Sequence, residues 1–90
     1  YTITPFLLYR PFEWLLRYAH EEQAPIKLVG AGRGRDYGHL GSTHWCDEQD
    51  RVLNVLGNIR IYWPRDEDEL FTQMHEFIYS PHPAYLSLKR

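Results

Sequence analysis

The alternation of strand-like and helical segments along these 90 residues restricts the fold more than any other feature of the sequence. Short apolar runs at 26–29, 58–63 and 84–88 are typical of strands, and the stretches between them carry apolar residues at helical spacing. Such alternation with short crossovers indicates parallel strands with helices packed on the sheet. The sequence therefore predicts an α/β fold with a partial parallel sheet of three to four strands and alternating helices.

Three helices are predicted, one before the first of these strands and one in each interval between them. The first covers apolar positions between 6 and 21: after one looser turn, a well-formed helix begins near Arg10, because Pro11 fits best in a first turn, where its missing N–H costs nothing. The second is predicted over Cys46–Leu56. The third begins after Asp66, which forms a capping-box pattern with the glutamate three residues later.

A long glycine-rich loop follows the first of these strands. It extends from Gly30 to His44 and holds five of the six glycines of the chain. Loops of this length in small domains are usually functional or disordered, and we interpret this one as functional. It leaves the carboxyl end of a strand, where ligands of open parallel sheets bind, and Arg90 follows the carboxyl end of the last strand. We therefore expect the functional site at this edge.

Charge and cysteine content exclude several classes of function. The formal net charge is −2, which gives no global attraction to nucleic acids or anionic membranes. Cys46 is the only cysteine, so neither an internal disulfide nor a thiolate metal cluster is expected. No apolar run approaches the roughly 20 residues that span a bilayer. These features indicate a cytoplasmic protein without a nucleic-acid or membrane partner.

Residues spread in order over nearly the whole chain form a further pattern. They are Phe6, Leu7, Arg10, Phe12 and Glu13; Val29, Gly30, Tyr37, Gly38, Gly41, Thr43, His44 and Glu48; residues 58–64 with Asp66, Asp68 and Glu69; and the terminal strand 85–90. This set resembles the signature of the transketolase-like pyrimidine-binding domains of thiamine-diphosphate-dependent enzymes. The resemblance implies that residues 1–90 are the second half of such a domain, a fragment of a doubly wound thiamine-diphosphate-binding domain.

The resemblance also implies roles for individual residues. Phe6, Tyr9 or Phe12 would pack against the aminopyrimidine ring of thiamine diphosphate, a contact that suits a flat heterocycle. His44 would face the substrate and help to place or protonate its oxygen, since histidine exchanges a proton near neutral pH. Arg90 would bind a phosphate or acid group of a small phosphorylated sugar or keto acid. The implied reaction is carbon–carbon transfer, as in transketolase or deoxyxylulose-phosphate synthase.

The same resemblance indicates an incomplete site. In that family the diphosphate and its Mg²⁺ are held by another domain, and the catalytic glutamate lies before the position of Tyr1. We therefore expect a companion diphosphate-binding domain or subunit, a homo- or hetero-oligomer with the site at the interface, and no activity of these residues alone. Ser42, Trp45 and Gln49 depart from the family's proline, histidine or glutamine, and acid, which leaves a pseudoenzyme fragment as an alternative.

Two other kinds of site have weaker support. Gly30–Gly34 after a strand suggests dinucleotide binding, but the spacing G-x-G-x-x-G is not met and no helix is predicted to follow at once. His39, His44, Cys46 and Asp47 include metal-ligating residue types, but they lack a paired ligand frame on a rigid element. The sequence therefore predicts no metal site within this chain.

A non-catalytic assembly module is the remaining alternative. In this interpretation Trp14, Tyr18, Trp45 and Trp63 would anchor a subunit interface, as exposed aromatic residues often do. It is compatible with the first interpretation, because transketolase-like sites form between subunits. The aromatic residues of the first helix also have a simpler explanation as core residues, above all Phe12, which lies on its apolar face.

Overall fold

The computed structural model describes residues 1–90 and contains one four-stranded, fully parallel sheet. Its strands are β1 (Thr2–Ile3), β2 (Lys27–Ala31), β3 (Arg60–Tyr62) and β4 (Ala84–Leu88), in the spatial order β1-β2-β4-β3. The predicted α/β class and parallel sheet are confirmed. The last strand has the predicted bounds.

Helical segments alternate with these strands. They are α1 (Thr4–Leu8), α2 (Phe12–Trp14), a π-helical segment (Leu15–Glu21) that continues α2, α3 (Gln49–Val55) and α4 (Glu67–Tyr79). Two short 3₁₀ turns, Gly38–Leu40 and Ser42–His44, lie in the glycine-rich loop. None of these helices is both long and apolar enough to cross a membrane.

Helices cover both faces of the sheet. Along β4, Tyr85 packs into a core with α1, the π-helical segment and α3, whereas its neighbours Ala84 and Leu86 pack with Tyr62 and with Phe77 of α4. The chain passes from β2 to the far edge at β3 and then returns to place β4 between them. Because crossovers in parallel sheets are right-handed, a reversal of direction puts the connecting helix on the opposite face. The position of α4 follows from this rule.

The first helical region differs in detail from the predicted looser turn followed by a helix from near Arg10. It begins at Thr4, with Pro5 in the first turn, and is interrupted at Pro11 before α2 resumes at Phe12. Proline is tolerated in a first turn, but further along a helix it removes a backbone donor and crowds the preceding turn. The sequence contains both prolines, so the region folds as two short helical pieces instead of one helix.

The predicted start of α4 is confirmed. The Asp66 side chain accepts a hydrogen bond of 2.8 Å from the backbone N–H of Glu69, which satisfies one of the free donors of the first turn. The Glu69 carboxylate does not complete the capping box at Asp66. It accepts a hydrogen bond from the backbone N–H of Arg65 instead. Phe77 of this helix is buried, whereas Met74 and Ile78 are 38% and 47% exposed. The predicted Cys46–Leu56 helix is shorter, because its first three residues form a turn.

Candidate functional site

Three chain segments leave the sheet at one edge. Strand pairing places Ile3 beside Ala31 and Ala31 beside Leu88, so the carboxyl ends of β1, β2 and β4 are level with one another. The segments that follow are α1, the glycine-rich loop and the end of the chain at Arg90. This edge therefore carries the residues that the sequence assigns to a site.

The glycine-rich loop leaves and rejoins the sheet at the same place. Gly32 has a φ of +91° and donates a backbone hydrogen bond of 2.8 Å to Leu88, which turns the chain off the strand. Cys46 returns to this base, with its backbone N–H 3.0 Å and its thiol 3.1 Å from the Gly34 carbonyl oxygen. The loop is thus closed at its base, and His44 lies only two residues before the closing contact.

The Cys46 thiol is a structural group. It is 4% exposed, and burial, followed by the charges of Asp36 and Asp47, raises its pKa to about 11. The thiol is therefore protonated at neutral pH, and a protonated thiol is neither a good nucleophile nor a metal ligand. No group of three or more His, Cys, Asp or Glu side chains in the chain is arranged to hold a metal ion.

His44 and Phe6 are in contact. Their ring centroids are 4.9 Å apart with an interplanar angle of 75°, an edge-to-face arrangement. Thr43 Oγ1 lies 3.0 Å from His44 Nδ1, and the Arg10 guanidinium carbon lies 4.2 Å from the centroid of the Phe6 ring. The loop thus brings His44 against α1.

Tyr9 and Phe12 line a cavity of about 410 Å³ next to this contact in the chain, together with Glu48 and Val52. Its size lies within the range of small-molecule sites. The Tyr9 hydroxyl is buried beside Glu48, and this burial, followed by the charge of Glu48, raises its pKa. Two aromatic rings and a valine, with Glu48 beside them, are suited to a flat nitrogen heterocycle.

Arg90 lies against the first half of the loop. Its Nη1 is 3.3 Å from the Asp36 carbonyl oxygen and 3.4 Å from His39 Nδ1, and its guanidinium carbon lies 5.1 Å from the centroid of the Tyr37 ring. Its backbone N–H donates to the Asp36 carboxylate at 3.1 Å. Its contacts are with residues 36–39 and not with His44. The structure thus pairs Phe6 with His44 and Tyr9 with Phe12, and places Arg90 with neither pair.

Two of the three departures from the family pattern are built into the fold. The Trp45 ring is stacked under the Arg35 guanidinium at 3.8 Å and donates a hydrogen bond of 3.1 Å to the Gly38 carbonyl, so it packs on its own loop. Gln49 is 3% exposed and donates a hydrogen bond of 2.7 Å to Tyr85 Oη. A carboxylate at this buried position would carry a desolvation cost that a neutral amide avoids.

The dinucleotide alternative has no matching geometry. The loop that follows Gly30 enters two 3₁₀ turns, and the next α-helix begins only at Gln49. No helix N-terminus therefore stands at the end of β2, where a dinucleotide-binding turn would present a pyrophosphate to one.

Sequence reasoning did not assign two residues of the cavity to a site. Glu48 precedes α3 and Val52 lies one helical turn later, with its backbone N–H donating to the Glu48 carbonyl oxygen at 3.1 Å. Their i, i+4 spacing puts them on one side of the helix start. That spacing was a usable signal, but only the structure shows that this side faces Tyr9 and Phe12.

Comparison with known proteins finds a relative among the transketolases. A subunit of the apulose-4-phosphate transketolase from Actinobacillus succinogenes is 31% identical over 84 residues, which are 93% of this chain and 27% of the relative. The chain is similar to part of a transketolase subunit. It spans about a quarter of the length of that relative. No family model matches the chain. No solved structure matches it.

Proposed function

We propose that this chain forms the aminopyrimidine side of a thiamine-diphosphate site in a transketolase-like enzyme. The observation that carries the proposal is the edge-to-face contact of 4.9 Å between His44 and Phe6, which puts a titratable imidazole beside the aromatic helix α1. The similarity of 84 residues to a transketolase subunit supports it independently of that geometry.

In this proposal Tyr9 and Phe12 hold the pyrimidine ring. They already line a cavity of about 410 Å³ together with Glu48 and Val52. Stacking on a flat heterocycle adds about 0.5–1.5 kcal/mol beyond the burial of area. Phe6 closes the side nearest His44. When bound, thiamine diphosphate supplies the carbon nucleophile for transfer of a two-carbon unit.

His44 and Arg90 act on the substrate. The imidazole of His44 holds a substrate oxygen and exchanges a proton with it near neutral pH. Arg90, at the same edge of the sheet, binds the phosphate or acid end of a small sugar or keto acid through its planar fork. Its present partners are a carbonyl oxygen and an imidazole, so no carboxylate competes for its side chain.

A companion domain or subunit completes the site. It holds the diphosphate and its Mg²⁺, because this chain has no group of three or more acidic, histidine or cysteine side chains for a metal ion. The relative is itself one subunit of a transketolase, which supports a second subunit as the companion. The proposal includes a cytoplasmic location and a homo- or hetero-oligomer with the site at the interface.

Binding of the pyrimidine half is testable on this chain. Thiamine, which carries the aminopyrimidine without the diphosphate, is titrated into ¹⁵N-labelled protein, and amide shifts are followed by NMR. We expect shifts at Tyr9, Phe12 and the start of α3, and their loss in Phe12→Ala. Phe71→Ala is the matched control, because Phe71 is 86% exposed on α4, on the other face of the sheet. Shifts that survive Phe12→Ala, or that lie elsewhere, contradict the proposed site.

A non-catalytic assembly module of the same fold is the second candidate. Trp14 and Tyr18 favour it: their ring centroids lie 4.8 Å apart with the rings tilted by 36°, and they remain 67% and 44% exposed. An aromatic pair open to solvent is typical of an interface anchor.

Calorimetry with thiamine diphosphate and Mg²⁺ on the full-length protein separates the two candidates. Heat of binding that His44→Ala preserves and Phe12→Ala removes supports the cofactor site. The absence of heat, together with dissociation of the assembled protein by Trp14→Ala, leaves assembly as the function.

A further inference from the structure

Arg33 reaches from the glycine-rich loop across the end of the sheet. Its Nε donates to Ser87 Oγ at 3.0 Å, and its Nη2 donates to the carbonyl oxygens of Ser87 at 2.6 Å and Pro64 at 2.8 Å. The guanidinium carbon lies 4.5 Å from the centroid of the Trp63 ring. One side chain thus bonds β4 and the segment after β3 at once.

The guanidinium of Arg33 has no carboxylate among its hydrogen-bond partners. All three acceptors are neutral oxygens, and the one hydrogen bond from Arg33 to the Asp36 carboxylate comes from its backbone N–H, at 3.0 Å. An arginine whose role was a surface ion pair would lie against an acid, as Arg65 does with Glu69 at 2.7 Å. The Arg33 contacts instead resemble those of a clamp that holds backbone carbonyls.

Arg33 lies at the base of the glycine-rich loop, where the loop closes. Gly32 and Gly34 flank Arg33, and Cys46 returns to the Gly34 carbonyl oxygen through its backbone N–H and its thiol. His44 is two residues from that closing contact and reaches Phe6 on α1. Arg33 therefore lies next to the contact at which the returning chain, two residues after His44, joins the loop base.

We propose that Arg33 is a positioning residue that, by holding the ends of β3 and β4, fixes the loop base and so sets the contact between His44 and Phe6. The consequence for a reaction rests on the function proposed above. The positioning itself does not, because every contact in it lies within this chain. Arg33 touches neither the cavity nor the groups assigned to substrate.

The test replaces Arg33 with glutamine and follows the His44 ring protons by ¹H–¹³C NMR. The ring current of Phe6 displaces these resonances, and Phe6→Leu gives their position without it. We expect Arg33→Gln to move them most of the way to the Phe6→Leu position while the protein stays folded. We also expect Cys46 to react with a thiol reagent about tenfold faster or more, the fold-change for loss of one charge-assisted hydrogen bond. A folded Arg33→Gln protein with unchanged His44 resonances overturns the proposal.

Arg65→Gln is the matched control, since it removes an arginine whose only ion pair is exposed; we expect it to leave both readouts unchanged, and displaced His44 resonances in this variant overturn the proposal. If Arg33→Gln does not fold, Arg33→Lys keeps the charge but lacks the planar fork that bridges Ser87 and Pro64. We expect an intermediate displacement there, and wild-type resonances overturn the proposal. Neither readout contains thiamine diphosphate, so failure to bind the cofactor and failure of the clamp are separate results.

Discussion

The hydrogen bond between Gln49 and Tyr85 supports a quantitative prediction. Tyr85 lies in β4 with no exposed surface, and Gln49 is 3% exposed. The Tyr85 hydroxyl accepts a hydrogen bond of 2.7 Å from Gln49 Nε2. Tyr85→Phe removes the acceptor and leaves a buried amide without a partner, which costs about 1–3 kcal/mol. Gln49→Met removes the donor to the Tyr85 hydroxyl and costs about 0.5–1.5 kcal/mol, the net contribution of one hydrogen bond, because methionine keeps the buried volume.

The double variant tests the reasoning. With Gln49→Met already present, no amide is left unpaired, so adding Tyr85→Phe costs less than it does in the wild-type chain, and we expect a coupling free energy of about 1 kcal/mol. Urea unfolding at pH 7 followed by circular dichroism gives the four free energies of unfolding, provided that the slopes agree. In thermal unfolding each kcal/mol corresponds to about 4–8 °C. Costs that add to within about 0.3 kcal/mol refute the assigned coupling.

Two further predictions concern the same edge of the sheet. Gly30→Ala puts a methyl group 2.7 Å from the Tyr85 hydroxyl, and we expect it to lower the free energy of unfolding in urea by about 1–3 kcal/mol. Gly57→Ala is the control, because its methyl group has no neighbour nearer than 3.5 Å, and we expect a change of under about 0.5 kcal/mol. Equal effects of the two substitutions contradict the close packing at Gly30. The backbone N–H groups of Arg33 and Arg90 lower the pKa of Asp36, so its carboxylate stabilises the fold above its unfolded pKa of about 3.9 and this contribution is lost as the pH falls through the lower folded value. Asp36→Asn, at an exposed site, should therefore cost under about 1 kcal/mol at pH 6, and the difference from wild type should shrink towards pH 2.5; a difference that is constant with pH excludes the carboxylate charge.

The sequence was sufficient to locate most helices and strands, but it was not sufficient to predict the helix interruption or the order of the strands. Periodicity located β4 and α4, since both depend on local apolar spacing and, in α4, on the Asp66 cap. It did not locate the break at Pro11, because this proline is compatible both with a helix start and with an interruption. The structure shows an interruption, since the helical region already starts at Thr4 with Pro5 in its first turn. The strand order was also beyond the sequence, since it depends on which edge β4 joins.

The candidate site shows the same division. The loop was recognisable from its glycines and its length, and the structure brings together His44 and Phe6, two residues that the resemblance names. The contacts of Arg33 with Pro64 and Ser87 join residues that are 31 and 54 positions apart, so no local sequence pattern predicts them. The place of Arg90 beside residues 36–39 was also beyond the sequence, because it depends on the alignment of β4 with β2, which brings the end of β4 to the beginning of the loop.

Arg10 decides which of the aromatic residues can receive a heterocycle. Its guanidinium carbon lies 4.2 Å from the centroid of the Phe6 ring, so one face of that ring is covered, and His44 contacts the same ring edge-to-face. Tyr9 and Phe12 carry no such cover and line open space. If the pyrimidine stacked on Phe6, Arg10→Ala would strengthen thiamine binding by clearing the ring. If it binds between Tyr9 and Phe12, as we propose, Arg10→Ala leaves the affinity for thiamine unchanged. A gain in affinity would contradict this site and indicate that the pyrimidine ring binds at Phe6.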